Sequence, residues 1–217
     1  MSPSSVPVDL RSDTFTTPDA EMRAVMARAE VGDDVWGEDP TVHQLEEEMA
    51  SRLRKEAAVF VPSGTMGNLA SLAAQTRPGD EVIVDSESHV VLNEAGGAGA
   101  VAGVMLNTVD ASGGVPTAQQ VTTAVRVRDI HHPTSRLLWL ENTHGGRGGI
   151  AASATVVDAA AEAAHGAGLR VHCDGARLFN AAVALQVDAS SLVASCDTVS
   201  VCLSKGLGAP VGSVVSG

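Results

Sequence analysis

The sequence predicts an α/β fold built on a buried, largely parallel β-sheet. Two observations carry that expectation. Six short runs are apolar throughout instead of alternating with polar residues: Ala57–Val61, Glu81–Asp85, Val101–Leu106, Leu137–Leu140, Leu169–Cys173 and Thr198–Leu203. Between them lie Gly/Pro/Ser loops and Ala-rich helical stretches, the pattern of βαβ units whose sheet is covered on both faces. A length of 217 residues is ample for a core without metals or disulfides. No repeat and no linker divides the chain, so residues 1–217 read as one domain.

The elements follow in order. Thr17-Pro18 looks like a helix start, a capping residue with proline at the first helical position, and Met22, Val25 and Met26 then share a face. The Gly/Asp-rich stretch VGDDVWGEDPT (31–41) reads as a loop. A helix from Val42 to Arg54 places Leu45, Met49 and Leu53 on one side and Glu46, Glu47 and Glu48 toward solvent. Further helices are expected over Met66–Gln75, Thr117–Val125, Ser153–His165 and Phe179–Leu185. The chain ends on VGSVVSG, apolar and β-prone, which reads as a piece of a larger fold with an uncovered, unpaired edge near Val211–Val215.

Composition excludes several classes. Fourteen basic against 26 acidic residues leave a net charge of −12, with no basic cluster of the kind a phosphate backbone needs, so nucleic acid is not an expected partner. No run of 18 apolar residues suggests a membrane span, and the N-terminus lacks a secretory or transit pattern, so a cytoplasmic location is expected. Three cysteines without CxxC spacing read as reduced thiols. His144 and His172 could suggest zinc together with Cys173, but adjacent strand residues face opposite sides, and no metal is expected.

Three segments carry chemistry. VPSGTMGN (61–68) joins a strand to a helix, and its small residues free backbone N–H groups to face an anion. It has neither the Lys-Ser/Thr of a P-loop nor a GxGxxG, and an ordinary strand-to-helix turn is the competing reading. Asp174 ends an apolar strand, where ligands of open α/β sheets bind, although a helix N-cap would also use it. Arg177 lies near the same edge and could grip a carboxylate or form a structural ion pair. Only two lysines exist, Lys55 and Lys205. Lys55 sits in a charged helix end, whereas Lys205 follows an apolar strand among small residues, a desolvated setting suited to a Schiff-base nucleophile. Asp174 and Lys205 are one strand–helix–strand unit apart. A phosphate cradle, a strand-end Asp and a strand-end Lys on one edge are what pyridoxal 5'-phosphate requires, and the carboxylate would keep its ring nitrogen protonated.

The segments DLRSDT (9–14), VGDDVWGEDPT (31–41), VPSGTMGN (61–68), SESH (86–89), ENTHGGRGG (141–149), HCDGARLFN (172–180) and CLSKGLGAPVGS (202–213) occur in this order. Together they resemble the low-specificity L-threonine aldolases, in the beta-eliminating lyase/threonine aldolase group of fold type I pyridoxal-phosphate enzymes. The resemblance implies the large domain of that fold, a homo-oligomer (dimer or tetramer) with loop 31–41 at a subunit interface, and cleavage of L-threonine or L-allo-threonine to glycine and acetaldehyde. It leaves β-elimination from another hydroxy or aromatic amino acid as the alternative. It also implies roles: Lys205 carries the cofactor, Asp174 bonds its ring nitrogen, and Gly64 and Thr65 hold its phosphate. His89 stacks on the ring as the candidate base, Ser12 and Arg177 bind the substrate carboxylate, and His131 lies near the β-hydroxyl, with His132 beside it. Asn93 departs from the family, which commonly has Tyr there. Family members continue past the lysine into a C-terminal small domain absent here, so the resemblance implies a catalytically impaired chain when expressed alone.

Overall fold

A computed structural model describes residues 9–217. Seven strands form one mixed sheet: β1 (Ala58–Val61), β2 (Glu81–Asp85), β3 (Met105–Val109), β4 (Ser135–Glu141), β5 (Arg170–Asp174), β6 (Thr198–Cys202) and β7 (Ser213–Ser216). Their spatial order is β1-β7-β6-β5-β4-β2-β3. The four pairings from β6 across to β3 are parallel, and β7 alone runs against both its neighbours, β1 and β6. The carboxyl ends of β1, β2, β4, β5 and β6 therefore open on one edge.

The helices are α1 (Ala20–Met26), α2 (Pro40–Leu53), α3 (Gly64–Gln75), α4 (His89–Leu92), α5 (Ala118–Ala124), α6 (Ala154–Gly166) and α7 (Leu178–Leu185). Consecutive strand residues feed two cores. Ile83, Leu138, Leu140, Val171, Val199 and Val201 pack with α2, α5, α6 and α7, while Val82, Val84, Leu137 and Trp139 pack with α3 and α4. This two-sided burial is why the strands read as unbroken apolar runs.

Several boundaries differ from the sequence expectation. Helix α1 starts at Ala20, not at Thr17-Pro18, because the Asp19 carboxylate accepts the Met22 N–H at 2.8 Å and caps it. Helix α2 starts two residues early for the same kind of reason: Asp39 caps Thr41 and Val42, and Pro40 takes the first position. Strand β3 lies at Met105–Val109 instead of Val101–Leu106, since a π-helical turn, Ala98–Ala102, ends at a left-handed Gly103. The expected unpaired edge near Val211–Val215 is also corrected. Strand β7 is interior, with Val214 buried between Phe60 of β1 and Val201 of β6, and the sheet edges are β1 and β3. Among the described residues, no helix is long and apolar enough to cross a membrane.

Candidate active site

The carboxyl edge of the sheet gathers the chemistry. Ser63 caps α3 by accepting the Met66 N–H, which leaves the N–H groups of Gly64 and Thr65 turned outward at the helix N-terminus. Gly64, Thr65, Asn68, His89, Asp174, Ser204 and Lys205 line one cavity of ≈ 340 Å³. A larger groove between α2 and α7, of ≈ 1040 Å³, contains none of these residues. The space at Gly64 is tight: a Cβ there would stand 2.8 Å from the Cys202 sulfur. Glycine at this position therefore keeps the cradle open.

Asp174 is buried at the end of β5. Its Oδ1 accepts the Ala176 N–H at 3.0 Å and its Oδ2 accepts an Asn68 Nδ2–H at 2.8 Å. Behind it, on the same strand face, His172 stacks on Trp139 with ring centroids 4.2 Å apart. Complete burial pushes the His172 imidazole down to about 4, and its Nδ1 meets Thr198 Oγ1 at 2.7 Å. Lys205 lies half-buried after β6, and its carbonyl accepts the Thr16 hydroxyl at 2.7 Å. Lys55 is placed elsewhere: its ammonium donates to the Val193 and Cys196 carbonyls, a structural clasp.

His89 opens α4, half-buried at the cavity wall. Its Nδ1 sits 2.8 Å from Glu94 Oε1, and its backbone N–H donates to Glu141 Oε2 at 2.9 Å. The hydrogen bond to Glu94, with the nearby charges of Glu94 and Asp174, raises the imidazole above its ordinary value against desolvation and Lys205. Burial, with Asp174 nearby, raises Glu141 above the usual carboxylate range. Arg177 lies in the turn before α7, and its guanidinium is held by Asp13, which ties the N-terminal turn Asp13–Phe15 to the end of β5. Ser12 caps that turn, accepting the Thr14 N–H.

The structure thus brings together Lys205, Asp174, Gly64, Thr65 and His89, while Arg177 follows the lining residue Ala176 and Ser12 does not line the cavity. It does not bring His131. That residue is exposed in the loop leading into β4, its backbone N–H donating to Asp129 Oδ1, at the amino end of the strand. In a parallel sheet that end is opposite the cavity, so neither His131 nor His132 lines the cavity of its own chain. His144, after the carboxyl end of β4, does reach the active edge. Buried, it lies 3.0 Å from Asp85 Oδ2 and 3.2 Å from Ser88 Oγ, directly behind His89. Glu94, Asn68, Glu141 and Asp13 were also missed. His144 and Glu141 could have been found from their place at a strand's carboxyl end. Asn68 and Glu94 could not, since their partners are remote in sequence.

Comparison with known proteins agrees with this arrangement. The beta-eliminating lyase family model matches residues 9–217. A low-specificity L-threonine aldolase from Arabidopsis thaliana is 48% identical over 97% of this chain and 60% of the relative. The low specificity L-threonine aldolase of Escherichia coli strain K12 is 41% identical over 97% of this chain and 62% of the relative. Among solved structures, Leishmania major threonine aldolase superimposes with a TM-score of 0.83 at 20% identity, over 94% of this chain and 60% of that one. The chain spans about 60% of the length of the curated relatives it matches. With its sheet, its strand-end Asp and Lys and a family match over every described residue, the chain belongs to the beta-eliminating lyase family.

Proposed function

We propose that this chain is the cofactor-binding part of a pyridoxal-phosphate aldehyde-lyase that cleaves L-threonine or L-allo-threonine to glycine and acetaldehyde. The observation that carries the reading is the convergence of Lys205, Asp174, the α3 N-terminus and His89 on one cavity. The residues fit the cofactor. A helix N-terminus with two outward N–H groups suits a phosphate, a glycine keeps that cradle open, and a buried carboxylate suits a protonated ring nitrogen. When bound, pyridoxal phosphate supplies an electron sink for the bond-breaking pair.

The chain's own residues then divide the work. Lys205, on the cavity wall, would hold the cofactor through its amine. Arg177, aimed by Asp13, presents its remaining N–H face to the substrate carboxylate. His89 takes the β-hydroxyl proton, which releases the aldehyde as the Cα–Cβ bond breaks. Loop 31–41 exposes Val31, Val35 and Trp36, with Trp36 79% accessible, which supports a homo-oligomer assembled over this loop. Three free, buried cysteines support a reducing compartment such as the cytoplasm.

The test is product analysis after loading with pyridoxal phosphate. Glycine and acetaldehyde from L-threonine support the reading, whereas ammonia and a keto acid would assign β-elimination, which the family's description favours as the second reading.

A further inference from the structure

One buried amide joins two carboxylates of the site. Asn68 Nδ2 donates one hydrogen to Glu94 Oε1 at 2.7 Å and the other to Asp174 Oδ2 at 2.8 Å. Its orientation is set by Ser200, whose hydroxyl donates to Asn68 Oδ1 at 3.1 Å. Glu94 Oε1 is also the partner of His89 Nδ1. Its Oε2 is buried and, among the described residues, meets no donor. An orphaned buried oxygen is destabilising, so packing does not explain a carboxylate here. Apart from the Asn68 amide, the group this carboxyl touches is the His89 ring.

We propose that Glu94 is a positioning residue for His89, and that Asn68 ties it to Asp174. A carboxylate at Nδ1 makes that nitrogen the proton carrier, so Nε2 becomes the bare atom available to a substrate hydroxyl. The groups around the imidazole are Glu94 on its own segment, Asp174 from β5 and Lys205 after β6, while Glu141 of β4 holds its backbone N–H. Of these, Glu94 alone is hydrogen-bonded to the ring. Asn68 then gives each carboxylate a donor and fixes their separation, so that the ring-partner group and the base are held by one side chain. The part concerning substrate rests on the function proposed above.

Nitrogen NMR of ring-labelled histidine in the whole protein tests this in wild type. His89 in its neutral form is expected as the Nδ1–H tautomer, and an Nε2–H tautomer overturns the proposal. In E94Q the His89 titration midpoint is expected to fall, with the unfolding midpoint no lower than wild type and threonine turnover reduced at constant KM. E94D should return part of the titration shift. An unmoved midpoint in E94Q overturns the role of Glu94. In N68A the cofactor should bind roughly tenfold more weakly, the scale of one hydrogen bond to a charged group. Should N68A fail to fold, N68S carries the same readout. Unchanged cofactor affinity overturns the Asn68 link. The tautomer and titration results are read without any threonine cleavage, so they stand or fall apart from the function proposed above.

Discussion

Arg177 donates Nε to one oxygen of Asp13 at 2.7 Å and Nη2 to the other at 2.8 Å, a bidentate fork spanning 164 positions of sequence. The pair holds Asp13 below the usual carboxylate range and raises Arg177 above its ordinary value. It also consumes one face of the guanidinium and fixes the direction of the other. Arg177→Lys should weaken amino-acid binding roughly tenfold at constant cofactor loading, because an ammonium cannot reproduce the planar fork. Asp13→Asn should act in the same direction but less. Amino-acid titration of the loaded protein checks both, and unchanged affinity in the lysine variant would make Arg177 structural.

Lys205 is the lysine at the cavity, and Lys55 is tied to the carbonyls of Val193 and Cys196. Borohydride reduction after loading with pyridoxal phosphate should attach the cofactor to a single peptide, the one containing Lys205. Lys205→Ala should lose the label completely. A label on Lys55 would refute the assignment.

Asp174→Asn should fold normally and lose turnover by about two orders of magnitude or more, the scale for removing one preorganised electrostatic partner. An amide cannot hold the ring proton by charge. Steady-state kinetics beside a far-UV spectrum decides it, and substantial residual turnover in a folded variant would count against the carboxylate.

Gly64→Ala should weaken cofactor binding and cost stability by about 1–3 kcal/mol, since the new methyl meets the Cys202 sulfur at 2.8 Å. The double variant with Cys202→Ala removes that sulfur and should recover most of the stability. Thermal melts of the two proteins give the comparison. A Gly64→Ala melt equal to wild type would show that the cradle has room to spare.

His172 gives a pH dependence of stability. Its folded value, about 4, lies below the ordinary 6.5, so the unfolded chain binds the extra proton between those two values. Stability therefore falls as pH drops through 6.5 and the loss is complete below about 4, on the order of 3 kcal/mol in all. His172→Phe keeps a ring against Trp139 and cannot titrate. Urea midpoints measured from pH 7 to 4 should fall less steeply in this variant, and parallel slopes would show that His172 titrates alike in the folded and unfolded chain.

Much of the fold was legible in the sequence because of a local rule. Strands buried on both faces are mainly apolar on both sides, and the five that run from β1 to β6 apart from β3 were located to within two or three residues. Helix starts slipped where an aspartate a residue or two away made the better cap, as at Asp19 and Asp39. Lys205, Asp174 and Gly64 were legible for a related reason. Each follows or ends an apolar strand, and in parallel units strand ends share an edge. Tertiary structure alone decided the rest. The reversed strand β7 entered between β1 and β6 because sheet order depends on long-range pairing, which no local period encodes. The position of His131, at the amino end of β4 and away from its own chain's cavity, is a matter of strand direction, not of residue type. The bonds of Asn68 to Glu94 and Asp174 span 26 and 106 positions, so only the packing of α3 over the sheet could bring those groups together.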